Sequence, residues 1–262
     1  MAKDTVGKTF GVALAVCLVC SVLVSAAAVS LRPTQAVNKA LDKKRNILMA
    51  AGLIKPGESA GADRVNELFG NIEERVIDLS TGAYTDVKPS DFDGRKAAVD
   101  PAQSLTIPAA KDFAGIKRRA NLSDVYLVSD GKRIRKVILP INGKGLWSTL
   151  YGFIALDSKD LNTIRGLVYY EHGETPGLGG EVDNPNWKAL WDGKKAFGKD
   201  GEVRIEVIKG QVVPGNPAAQ HQVDGLSGAT ITARGVKDML KYWLGEEGFA
   251  PYLGKLREQG VS

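Results

Sequence analysis

The sequence predicts an α+β fold, an antiparallel sheet packed with helices behind a single N-terminal transmembrane helix. Three observations carry the prediction. Residues 10–31 read FGVALAVCLVCSVLVSAAAVSL, an uncharged run as long as the ~20 residues a helix needs to cross a bilayer. Between 125 and 170, short apolar runs are separated by turn residues at Asp130-Gly131 and at Asp157-Ser158-Lys159-Asp160, the pattern of hairpins. After Thr230, the apolar positions Val236, Met239, Leu240, Trp243 and Leu244 fall on one helical face.

Taken in order, the chain opens with Lys3 and Lys8 ahead of the apolar run. A cleaved leader is the competing reading, because Ala26-Ala27-Ala28 offers a small-residue cleavage site; the run exceeds the usual signal core, which favours a retained anchor. Arg32, Lys39, Lys43, Lys44 and Arg45 follow the run, so charge counting alone would hold that second flank in the cytoplasm. Cys17 and Cys20 both lie within the run, where small packing residues or a thiol role at a helix interface with partner subunits are the available readings. The remainder has no cysteine, which excludes a disulfide or a cysteine-ligated iron–sulfur centre there.

Residues 34–54 have helical spacing until Lys55-Pro56-Gly57 interrupts them, 62–79 read as further helix, and 80–108 read as a long irregular connection. Strands are expected at 125–128, 134–139, 150–156, 163–170 and 203–208. A short helix is expected at 186–191, and two more from Ile231 and from Ala250. The expected division is a cytoplasmic tail at 1–9, the span at 10–31, a membrane-proximal helical and connecting region at 32–120, and the sheet-bearing domain at 121–262. A formal net charge of +5, with basic residues spread among acidic ones, argues against a nucleic-acid partner.

Chemistry concentrates in three glycine-rich stretches. In Asp224-Gly225-Leu226-Ser227-Gly228-Ala229-Thr230, small residues lead to a hydroxyl where a helix begins, so Thr230 stands at the expected N-cap. Unpaired first-turn amides there suit a phosphate, Gly228 and Ala229 leave room for it, and Arg234 lies one turn on. The bland reading is a threonine that caps a surface helix. Glu174-Thr175-Pro176-Gly177-Leu178-Gly179-Gly180 follows a predicted strand as a tight turn whose backbone can approach a planar ligand. Gly143-Lys144-Gly145-Leu146-Trp147 is a similar turn that ends on an aromatic. Neither a P-loop nor a complete dinucleotide fingerprint is present. Gly225-Leu226-Ser227-Gly228-Ala229 partly matches a nucleophile elbow, with Ser227 as nucleophile and His172 or His221 as base, although both histidines precede the serine and Ala replaces the last glycine. A membrane-anchored binding module without redox chemistry is a third reading.

The Asp-Gly-Leu-Ser-Gly-Ala-Thr stretch resembles the flavinylation motif of FMN-binding domains. With the other two stretches in this order behind one N-terminal span, the chain resembles the C subunits of bacterial sodium-translocating NADH:quinone reductases; the flavin subunit of Rnf electron-transfer complexes shares the domain. The resemblance implies FMN esterified through its phosphate to Thr230 by a dedicated flavin transferase, with Ser227, Gly228 and Ala229 on the phosphate side. It makes Leu146, Trp147, Glu174, Thr175, Leu178 and Gly179 candidates around the flavin, and Asp224 a recognition residue for the transferase. It further implies an electron carrier among flavin- and iron–sulfur-bearing subunits of an inner-membrane complex that oxidises NADH, reduces ubiquinone and exports sodium. The domain would lie on the periplasmic side, against the charge count. No acidic residue lies in 10–31, so sodium coordination is expected elsewhere.

Overall fold

A computed structural model describes residues 5–55, 57–131 and 133–260; Lys3 of the N-terminal flank and Pro56 of the first interruption lie outside them. The apolar run and the helix expected after it are one helix, α1 (Val6–Ala50), which contains Pro33 and is long and apolar enough to cross a membrane. The chain divides into two units, Met1–Lys43 and Lys44–Ser262, and the sheet belongs to the second.

The helix expected over 62–79 is not a single element. It is α2 (Ala62–Phe69), then a strand, β1 (Ile72–Asp78). Gly70 closes α2, and beyond it Ile72, Val76 and Ile77 are buried while Glu73 is exposed. Buried Phe69, Ile72 and Val76, at spacings of three and four residues, satisfy a helix locally, and pairing with a distant strand decides the matter. The expected irregular connection also contains structure: α3 (Gly94–Val99), capped by the Asp93 side chain, and β2 (Ser104–Thr106), which pairs antiparallel with β3 (Arg118–Ala120) beyond the connection.

Four long strands follow: β4 (Leu122–Asp130), β5 (Arg133–Lys144), β6 (Thr149–Asp157) and β7 (Ile164–Glu171). The five-stranded sheet is antiparallel throughout, in the order β1-β4-β5-β6-β7. After it come α4 (Pro185–Ala189) and the two-residue strands β8 (Glu206–Val207) and β9 (Gln222–Val223), which pair in parallel. The strand expected at 203–208 is thus reduced to β8 and an isolated bridge between Val203 and Phe197. The chain ends in α5 (Thr230–Leu244) and α6 (Ala250–Gln259).

Side chains alternate across a strand, so the sheet has two faces. On one, Val137, Leu139, Ile141, Leu150, Ile154, Leu167 and Tyr169 form a core with Val236, Met239, Leu240 and Trp243 of α5. On the other, the end of α1 approaches closely. A Cβ on Gly166 would lie 2.4 Å from the Ala50 carbonyl oxygen, and the Lys136 ammonium donates to the Ala51 carbonyl.

Candidate functional site

The β5–β6 turn, the segment after β7 and the start of α5 meet at one end of the sheet. They join through Glu174, 5% exposed. Its Oε1 accepts the amides of Trp147 at 2.9 Å and Ser148 at 3.1 Å; its Oε2 accepts the amide of Leu146 at 3.1 Å and the hydroxyl of Thr232 at 2.5 Å. Three successive backbone amides aimed at one group form an anion nest. Burial works to raise the Glu174 carboxyl, but the Thr232 hydroxyl and the three amides outweigh it and hold it below its ordinary value.

Glycines make this junction possible. A Cβ on Gly145 would sit 2.7 Å from Glu174 Oε1, and one on Gly179 would sit 2.5 Å from Thr232 Oγ1 and 2.7 Å from Glu174 Oε2. Three residues beyond Thr232 on the same face of α5, a Cβ on Gly235 would lie 2.2 Å from the Lys144 carbonyl oxygen, so α5 rests directly on the end of β5.

Helix α5 starts one residue earlier than expected. Ala229 is the capping residue, with φ −129° and no side-chain cap bond, and Thr230 is the first helical residue. The cause is the turn before it: Gly228 has φ +68°, and the Ala229 amide bonds to the Leu226 carbonyl, which brings the chain into the helix at Thr230. Thr230 is exposed, and its hydroxyl has no hydrogen-bond partner among the described residues. The first i→i−4 bond of α5 is Ala233 to Ala229, which leaves the amides of Thr230, Ile231 and Thr232 ahead of the ladder.

Ser227 and Gly228 are exposed like Thr230, whereas Ala229 is buried against the core. Leu178 adjoins Gly228, whose Cβ would lie 2.9 Å from Leu178 Cδ2. Leu146, Trp147 and Leu178 are exposed by 42%, 67% and 44%, an unusual concentration of uncovered apolar side chains on the segments that converge here. Thr175 is exposed and its carbonyl closes the turn by accepting the amides of Leu178 and Gly180. Asp224 is half-buried. Its carboxylate accepts the Val212 amide at 2.8 Å, and its carbonyl accepts the Trp187 indole N–H at 2.9 Å. Arg234 is exposed on the second turn of α5.

The histidines are engaged elsewhere. His172 Nε2 pairs with Asp183 at 2.7 Å while its Nδ1 accepts the Glu174 amide, and His221 Nδ1 bonds to the Lys195 carbonyl. Neither ring is bonded to Ser227, so the hydrolase reading loses its base.

Four residues of this junction escape the sequence reading: Ser148, Thr232, Gly235 and Trp187. Only Gly235 leaves a signal, since a glycine within an amphipathic helix costs about 1 kcal/mol and marks a close approach. The buried Thr232 hydroxyl is locally indistinguishable from its exposed neighbour Thr230.

The sequence pattern of the FMN-binding domain matches residues 145–245, the stretch that contains all of these contacts except Lys144. The C subunit of the Na(+)-translocating NADH-quinone reductase of Pseudomonas aeruginosa is 52% identical over 258 residues, covering 98% of each chain. Its counterpart from Yersinia pestis is 48% identical over 98% of this chain and 95% of its own. Among solved structures, NqrC of Shewanella oneidensis superposes with a TM-score of 0.75 at 40% identity, covering 84% of this chain and 99% of that one.

Proposed function

Because the chain belongs to the family of Na+-translocating NADH-quinone reductase C subunits, we propose that it carries FMN as an electron-transfer subunit of such a complex, with the flavin phosphate esterified to the Thr230 hydroxyl. The observation that carries this reading is an exposed, unpartnered hydroxyl at the start of α5, on a segment that converges with uncovered Leu146, Trp147 and Leu178.

The residues fit the group. The free first-turn amides and the positive end of the α5 dipole favour a phosphate on Thr230. Ser227 and Gly228 leave its surroundings open, and buried Ala229 closes the floor. Leu146, Trp147 and Leu178 offer the apolar surface a flavin ring requires, with Thr175 and Gly179 in the turn beside them. Bound FMN supplies reversible one- and two-electron transfer. A covalent tether retains it at a site open enough for a partner carrier to approach.

In this reading a flavin transferase modifies the chain and recognises Asp224 within the motif. Electrons from NADH arrive through partner subunits, one with an iron–sulfur centre, and leave for a second flavin subunit as ubiquinone is reduced and Na+ is exported. Helix α1 anchors the subunit in the lipid bilayer of the bacterial inner membrane, with 1–9 cytoplasmic, 10–31 spanning, 32–120 membrane-proximal, and the FMN-binding domain at 121–262 on the periplasmic side.

The test is Thr230→Ala in the chain purified from a host that flavinylates other proteins, by in-gel flavin fluorescence and peptide mass. Wild type should fluoresce with an FMN phosphodiester on Thr230. The variant should be dark yet folded, its stability within about 0.5 kcal/mol of wild type because the side chain is exposed and unpartnered. A wild-type peptide of unmodified mass would return the chain to a redox-silent binding module.

A further inference from the structure

Attachment through a phosphate fixes one end of a long flexible ligand, and the other end must be held by something else. The available surface includes Leu146 and Trp147, on the turn that links β5 to β6. Within that turn, the Gly145 amide bonds to the Ser148 carbonyl and the Lys144 ammonium reaches the Trp147 carbonyl at 3.2 Å. The amides of Leu146, Trp147 and Ser148 all go to Glu174. The same carboxylate holds Thr232, the third residue of the helix that begins at Thr230.

The donor count explains why the residue is glutamate. An ionised carboxylate offers about four lone-pair sites and no donor. Four donors converge on it, two per oxygen, so the group is saturated. Glutamine in the same position would offer one oxygen and turn an NH2 group toward donors, leaving two of the four without an acceptor. Gly145 and Gly179 remove the two Cβ atoms that would otherwise displace the carboxylate.

We propose that Glu174, rather than contacting the flavin, is a positioning residue: it locks the Leu146–Trp147 wall to the first turn of α5 and so fixes the ring's environment relative to Thr230. The lock is a property of the chain itself; the consequence for the ring rests on the reading of Thr230 as the attachment point.

The experiment uses the full chain in detergent, in two forms. In the unflavinylated form, amide hydrogen exchange should be slow at Leu146, Trp147 and Ser148. Glu174→Gln should accelerate it about 10- to 100-fold, as expected for loss of charge-assisted bonds, with β6–β7 amides unchanged. In the flavinylated form, Glu174→Gln should keep the FMN mass on Thr230 while its visible circular dichroism and midpoint potential move toward those of free FMN. A merely structural loss would not separate retained attachment from an altered potential. Thr232→Val, which removes one of the four donors, should shift the same readouts in the same direction by less, and it decides the matter if Glu174→Gln does not fold. Unchanged exchange at the three amides would overturn the lock. Wild-type dichroism and potential in loaded variants would overturn the positioning role. A wild-type chain without FMN on Thr230 would defeat the functional reading instead, and exchange would still decide the lock.

Discussion

The five-stranded sheet closes on a carboxylate at both ends, and the two ends use it differently. At the far end, in the β6–β7 turn, Asp160 accepts the amides of Asn162 and Thr163, the Thr163 hydroxyl and the Lys195 ammonium at 2.8 Å. Next to it, Asp157 pairs with Arg165 at 2.9 Å. At the near end Glu174 meets only neutral donors, and the segments it ties together expose Leu146, Trp147 and Leu178. The far end pairs its charges with cations and receives the end of α1 against Gly166. The near end is equally well tied but left uncovered, as expected where a ligand rather than the protein supplies the missing contact.

The largest effects should come from forcing each end apart by one methyl group. Gly235→Ala presses a Cβ against the Lys144 carbonyl, and Gly166→Ala presses one against the Ala50 carbonyl. Backbone at 2.2 and 2.4 Å blocks both, so each should cost about 3 kcal/mol or more and lower Tm by several degrees. Only Gly235→Ala should also lose flavin from Thr230, because it lifts the first turns of α5 from β5. Equal flavin loss in both variants, by peptide mass, would mean that the two ends do not act separately.

Salt should separate the ends by a smaller margin. The side chains of the Asp160–Lys195 pair are 39% and 36% exposed, so Asp160→Asn should cost about 1 kcal/mol or less and lose much of that effect in ~1 M NaCl. Glu174→Gln should cost about 1.5–3 kcal/mol with little salt dependence, since its partners carry no charge. Urea melts at low and high salt measure both.

Acidification should open the ends in sequence. Glu174 lies below its ordinary 4.5, so its contribution is fully present above that value and fades as pH falls through the lowered one. Asp160 is displaced much further: burial opposes the shift, but Lys195 and Thr163 hold the carboxyl far below the carboxylate range, so its contribution survives to lower pH. Exchange at Trp147 should therefore accelerate before exchange at Thr163 as pH drops below about 4.5. The reverse order would contradict the assignment of charge at the two ends.

Much of this architecture is legible locally. The strands at 125–128 and 134–139, and those at 150–156 and 163–170, show as short apolar runs bounded by turn residues, because a strand covered on both faces carries apolar side chains in unbroken succession. Helix α5 shows in its apolar stripe for the same kind of reason. Strand β1 does not, since Ile72, Val76 and Ile77 suit a helix equally well and only β4, far along the chain, supplies the pairing that selects a strand. The motif around Thr230 marks where to look, yet the cap lies at Ala229 because a left-handed Gly228 sets the entry into the helix.

The long apolar helix, the α+β class and the three glycine-rich stretches are each a matter of residues near in the chain, and all of them stand in the amino-acid order before any folding. Packing between distant segments settles the rest: that Glu174 faces inward to four donors, that Thr232 is spent while Thr230 is free, and that Gly166 and Gly235 admit backbone neighbours. A hydrogen bond's partner, unlike a helical period, is set by segments that meet from separate parts of the chain, and no local pattern records who arrives.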